Sequence, residues 1–234
     1  MRTTITMKKI LILFPLGFSL WLLSCSGKSS SSETIYDCTA VDSSLRQPQT
    51  IAEALNLVNA LPKPLSLDCF ILALKPPLKV FATNSTFSAQ PAQGNSSPRI
   101  FIIQNSLVLS VVPSGSGRTF LEFGEVKSGQ SFKAEIQFPI ENSVTYEQIN
   151  THLSSGGTNS SCVSCHFAEA KSSYTTGKSL FISNILRPDE SQRVGQTFMK
   201  IQAETCNSET NKYRCDILKA IYINGAASDA TFPY

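Results

Sequence analysis

Six short runs of branched and aromatic residues, at 70–74, 78–83, 99–103, 107–112, 120–126 and 132–138, dominate the first half of the chain. Clusters of Ser, Gly, Pro and Asn at 88–98, 104–106, 113–117 and 128–129 separate them. Apolar runs of this length between turn-forming clusters are the pattern of an antiparallel β-structure, in which each strand reverses through a tight connection. In the last run Phe132, Ala134, Ile136 and Phe138 alternate with Lys133, Glu135 and Gln137. That period of two predicts one buried face and one wet face. No histidine falls in this half, and its acids and hydroxyls show no spacing that reads as a catalytic set.

Helical spacing flanks the β-rich stretch. Thr50 and Glu53 stand three apart ahead of Ile51, Leu55, Val58 and Leu61, a capping box followed by an apolar stripe, and Pro62 and Pro64 end it. After Val144 helices are predicted over 145–153, over 188–205 with a stripe of Val194, Phe198 and Ile201, and over 212–223 with Tyr213, Ile217, Ala220 and Ile221. Asn224-Gly225 is the expected C-cap of the last. The expectation is an α+β chain: an antiparallel β-sandwich or barrel-like domain at 36–143, then a small helical domain at 144–234. A helical unit of that size has a thin core and needs a cofactor or a disulfide to supplement it.

The N-terminus carries an address. Arg2, Lys8 and Lys9 precede fourteen largely apolar residues, 10–23, interrupted by Pro15 and Gly17. A spanning helix needs roughly 20 apolar residues, so the segment reads as a secretory signal rather than a retained anchor. Its end, Leu22-Leu23-Ser24-Cys25, resembles a bacterial lipobox. The resemblance implies a signal peptide at 1–24, acylation of Cys25 as the new N-terminus, and a polar tether at 25–35 that spaces the folded part from the membrane. Ser26 is not acidic, which by the same resemblance favours the outer membrane or a periplasm-facing position in the cell envelope.

Removing the three cations of the first nine residues leaves 17 basic residues against 17 acidic ones. Phosphate binding needs a surplus of Lys and Arg gathered on one face, so nucleic acid is not expected as a partner. Six cysteines besides Cys25 belong to an exported chain, where disulfides persist. They fall into pairs along the sequence: Cys38 with Cys69, Cys162 with Cys165, and Cys206 with Cys215. Disulfides are expected for the first and last, although six cysteines admit other pairings.

Cys162-Val163-Ser164-Cys165-His166 is the motif that carries chemistry. At these cysteine and histidine frequencies about 0.002 such pentapeptides are expected by chance. The Cys-X-X-Cys-His form resembles the attachment motif of c-type cytochromes. The resemblance implies one covalent haem c, with Cys162 and Cys165 as thioethers and His166 as the proximal iron ligand. Cys206, Cys215, Ile217, Leu218, Ala220, Gly225 and Phe232-Pro233 are similar to the C-terminal helix region of monohaem domains. Other readings stay open: a thioredoxin-like redox pair, a zinc site from His152, Cys162, Cys165 and His166, or a plain disulfide.

The second axial position of such an iron has two candidates in the sequence, Met199 and His152, each with an ordinary alternative in core packing or a solvent-exposed helix end. A thioether would raise the potential relative to a second imidazole, and an empty position would admit small ligands. The sequence therefore predicts a lipid-anchored, exported electron carrier with an unidentified redox partner protein. The alternative is a non-redox surface lipoprotein whose β-domain binds a partner or glycan. No nucleophile with a partner base marks the chain as an enzyme.

Overall fold

The computed structural model describes residues 37–151, 153, 160–166 and 168–232. The signal segment, Cys25, the tether and His152 lie outside the described residues. From the meander that the short apolar runs predict come β1 (Lys79–Thr83), β2 (Arg99–Gln104), β3 (Leu107–Val111), β4 (Phe120–Lys127) and β5 (Gln130–Gln137), each antiparallel to the next. The hairpin of β6 (Ala170–Thr175) and β7 (Lys178–Asn184) extends the sheet beyond β5, and β8 (Ser228–Asp229) adds in parallel to β1. The strand order is β6-β7-β5-β4-β3-β2-β1-β8.

This single open sheet replaces the expected sandwich or barrel, because helices rather than a second sheet cover its apolar face. Ile100, Leu109, Leu121, Phe132 and Ile182 form that face and share one core with α1 (Ile51–Ala60) and α2 (Leu67–Ala73). The short α3 (Gln148–Thr151) lies against β5. Met199 and Ala203 of α4 (Gln196–Glu204) and Ile217 and Leu218 of α5 (Ser208–Lys219) enter the same core.

Three expectations are corrected. The run at 70–74 is helical: Ser66 caps α2 by accepting from the Cys69 amide at 3.4 Å, and Leu67, Phe70, Ile71 and Leu74 are buried at helical spacing. A short apolar run fits either period, and here the cap decides. Second, α4 starts only at Gln196, and it buries Met199 and Ala203 while Phe198 and Ile201 face outward at 41% and 49% exposure. Third, the region after Val144 is not helices and loops alone. Leu180, Phe181 and Ile182 make an apolar run in β7 that pairs with β5 across the expected boundary, and residues 36–234 form one compact unit. A thin helical layer gains more by docking on a large sheet than by closing a core of its own.

Gly225 follows a π-turn at Ala220–Asn224 with φ of −75°, so it is not a left-handed cap. A Cβ there would meet the Ile221 carbonyl at 2.5 Å and Leu78 Cδ1 at 2.6 Å, while its own carbonyl accepts from the Leu78 amide at 2.8 Å. Close approach between the end of α5 and β1 is what requires glycine.

Cys38 is bonded to Cys69, and Cys206 to Cys215, with Cα separations of 5.2 and 5.5 Å. The first holds the start of the described chain to α2, and the second ties the end of α4 to α5. No helix among the described residues is long and apolar enough to cross a membrane.

A buried carboxylate joins the helices to the sheet. Glu125 of β4, 5% exposed, accepts from the Ile51 amide at the start of α1 at 2.8 Å and from the Tyr174 hydroxyl of β6. The Tyr174 oxygen in turn accepts from the Ala52 amide at 3.3 Å. A negative group at a helix N-terminus also meets the positive end of the helix dipole. Tyr174→Phe is expected to lower the free energy of unfolding by about 1–2 kcal/mol, and Glu125→Ala by more, because the latter orphans a buried amide. Urea denaturation of the two variants checks this, and an unchanged midpoint for Tyr174→Phe would remove the hydroxyl from the account.

Candidate functional site

The second face of the sheet carries Phe81, Phe101, Ile103 and Val108 near one end and a row of charged residues further along. Phe232, just before the C-terminus, closes the apolar end, edge-on to Phe81 and Phe101 with ring centroids 5.6 and 5.0 Å apart. The alternation in β5 places Lys133 and Glu135 on this face, where a wet surface is expected. Lys133 is instead only 7% exposed. The loop carrying Cys162 and His166 lies over this part of the sheet, and that coverage reverses the expectation.

The motif itself is a 3-10 turn over Ser161–Ser164. Ser160 starts it: its hydroxyl accepts from the Cys162 amide at 3.0 Å and donates to Glu169 at 2.6 Å. The Cys162 carbonyl accepts from the amides of Cys165 at 3.0 Å and His166 at 2.9 Å. Both cysteines are thiols, and both are partly buried. Burial pushes the Cys162 thiol up, with Glu122 and Glu169 adding to the shift against the Ser160 contact and Lys133. At neutral pH it is therefore protonated, the reverse of the lowered pKa that a disulfide oxidoreductase relies on.

His166 is fixed from β7. Its Nδ1 lies 3.3 Å from the Ser183 hydroxyl, and that hydroxyl donates to the Asn184 carbonyl at 2.9 Å. With its hydrogen committed, the Ser183 oxygen is left to accept from Nδ1–H, so Nε2 is the ring nitrogen that keeps its lone pair. Burial pushes the imidazole down to about 4, with the cations Lys133 and Arg99 acting in the same direction against a contact with the Asn184 backbone. The ring is neutral at neutral pH. A neutral imidazole with one nitrogen held by a hydrogen bond is the form that ligates a metal through the other.

Cys162 and His166 open onto one cavity of about 100 Å³, roofed by Leu153 and Leu186 and floored by Val108, Gly124 and Lys133. A second cavity of about 260 Å³ shares Arg99, Phe101, His166 and Leu186 with it, so His166 stands between the two. Met199 does not line either cavity. It is fully buried in the helix-covered core, among residues of the other face of the sheet. Among the described residues no group of three or more His, Cys, Asp or Glu could hold a metal ion together.

Around the cavity the charges are organised. Arg99 pairs with Glu122 and binds two hydroxyls, Ser110 at 2.7 Å and Ser88. Glu135 stands directly across from Glu122 in the β4–β5 register and accepts from Gln90 at 3.0 Å. The other amide atom of Gln90, Oε1, is buried with no hydrogen-bond partner. Burial, and then the Glu122 charge, push the Glu135 carboxyl up to about 7, against the Gln90 contact and Arg99. Burial pushes the Lys133 ammonium down to about 8, against the attraction of the carboxylates Glu122 and Glu169.

Sequence reading singled out Cys162, Cys165 and His166 but not Arg99, Glu122, Lys133 or Glu135. The signal that could have found them is in β2, where Ile100 and Ile102 alternate with Phe101 and Ile103. A strand apolar on both parities is buried on both faces, so charges on its neighbours' second face are covered too. Compared with known proteins, the chain matches no family model, no curated protein and no solved structure.

Glu135 and His166 impose opposite pH dependences. An unfolded glutamate releases its proton near 4.5, so the folded protein, holding it to about 7, gains stability below pH 4.5 that is lost as pH rises through 7. His166, lowered from 6.5 to about 4, contributes stability present above pH 6.5 and lost as pH falls through 4. Glu135→Gln keeps an acceptor for Gln90 and removes the carboxylate. It is expected to raise the melting temperature at pH 8 and to leave it nearly unchanged at pH 4.5; equal shifts at the two pH values would disprove the burial of a titrating acid there.

Proposed function

We propose that Cys162, Cys165 and His166 hold one covalently attached c-type haem, and that the chain is an exported electron-transfer protein. The observation that carries the reading is the Cys-X-X-Cys-His sequence folded so that Cys162 and His166 open onto one cavity, with His166 Nδ1 committed to Ser183. The donor set, two thiols and one imidazole, is the set such a group requires, and of the three Cys162 and His166 line the cavity. Each thiol can add its S–H across a vinyl double bond of the macrocycle, a step that consumes no oxidant. Nε2 of His166 offers its lone pair to iron, while Ser183 sets the tautomer and the ring orientation. Phe101, Val108, Leu153 and Leu186 give the slot apolar walls. A haem held in this way supplies one-electron exchange.

In this reading the residues that would hold the haem lie over the second face of the sheet, and the C-terminal helices pack on the opposite face. The raised pKa of Cys162 supports the haem reading over a dithiol redox pair. With Met199 in the core, His152 remains the sequence's candidate for the second axial position. Acylated at Cys25, the protein would be tethered to the cell envelope, where it would exchange electrons with a partner protein across the mouth of the cavity near Phe87 and Leu186, 67% and 44% exposed.

Expressed with its signal in a host that matures c-type cytochromes, the protein is expected to give a pyridine haemochrome spectrum with haem that survives acid-acetone extraction. Cys162→Ser with Cys165→Ser should abolish covalent attachment, and His166→Ala should abolish the low-spin spectrum while leaving haem bound. Folded wild-type protein without haem would sink the reading, and one equivalent of zinc in its place would favour the non-redox lipoprotein.

A further inference from the structure

Lys133 is a buried cation that no described residue pairs with. Its exposure is 7%, and it lines the cavity that Cys162 and His166 share. The two carboxylates whose charges reach it are both committed elsewhere: Glu122 to Arg99, and Glu169 to the amide and hydroxyl of Ser160. The cavity wall thus holds two cations, Arg99 and Lys133, against the single carboxylate of Glu122. Taking an ammonium out of water without a counter-ion is costly, because its hydration is lost and no attraction replaces it. Such a residue destabilises an empty cavity and stabilises one whose occupant brings an anion.

We propose that the ammonium of Lys133 receives a carboxylate of the group that Cys162 and His166 would hold, namely a haem propionate. The proposal rests on the haem reading of the Cys162-to-His166 motif and extends it to the chemistry that selects and tunes the occupant. Iron carries less positive charge when reduced, and a cation that offsets a propionate favours that state. Lys133 therefore raises the reduction potential as well as securing the bound group.

The test uses the full chain exported into a c-type maturation host, in two backgrounds: the haem-bearing protein, and Cys162→Ser with Cys165→Ser, which cannot attach haem. Lys133→Met is expected to raise the melting temperature in the haem-free background, where it removes an uncompensated buried charge, and to lower it in the haem-bearing one. In the haem-bearing protein it should also shift the midpoint potential downward, with the low-spin bands intact. Lys133→Arg should restore most of the potential, since it keeps the charge. A change of the same sign in both backgrounds, or an unmoved potential, overturns the proposal. Loss of the low-spin bands in Lys133→Met also overturns it, and would make the lysine an iron ligand. Absence of haem from the wild type is seen before any Lys133 variant is made, and it is the haem reading itself that then fails.

Discussion

The structure depends on a sheet that is covered on both faces by different chemistry. An antiparallel sheet can leave one face to water, and its strands then alternate cleanly between apolar and polar residues. Here one face is closed by α1, α2, α4 and α5, and the other is partly closed by the Cys162-to-His166 loop and the C-terminal Phe232. The buried part of the helix-covered face is apolar apart from Glu125 and Tyr174, and one oxygen of the Glu125 carboxylate accepts from both Ile51 and Tyr174. The loop-covered face was built with charges, and the cost of burying them organises everything that lies over it.

That cost is met in part. Arg99 and Glu122 satisfy each other with help from two serines, whereas Glu135 reduces its cost by holding its proton and Lys133 pairs with no anion among the described residues. Partly satisfied polar clusters under a loop are where a protein keeps room for a ligand, because a fully satisfied network would be more stable without one. The same low-dielectric setting keeps Cys162 a thiol and His166 a neutral imidazole. Desolvation prepares both side chains for the bonds proposed for them, addition to a vinyl group in one case and donation of a lone pair in the other.

The cysteines divide by task. Cys38, Cys69, Cys206 and Cys215 close loops near the two ends of the folded unit and restrict the unfolded chain there. Cys162 and Cys165 lie on a turn with their backbone amides in use, which fixes the local shape of the motif. His166 is aligned by Ser183, a residue of the strand that joins the region after Val144 to the main sheet. The site and the continuity of the sheet are therefore one structural event.

Local sequence by itself determined the elements with strong local signals. Thr50 and Glu53 specify the start of α1, the turn clusters specify the β1-to-β5 meander, and the Cys-X-X-Cys-His pentapeptide marks where chemistry would lie. These are decided by contacts within a few residues, which a linear reading sees. Tertiary structure alone decided what those elements rest against. Lys133 reads as a solvent-facing lysine until a loop thirty residues later covers it. Met199 reads as a possible ligand until α4 turns it into the core. The run at 180–182 gives no sign that it pairs with β5 fifty residues earlier. Burial on a second face arises from long-range packing, and no local period records it.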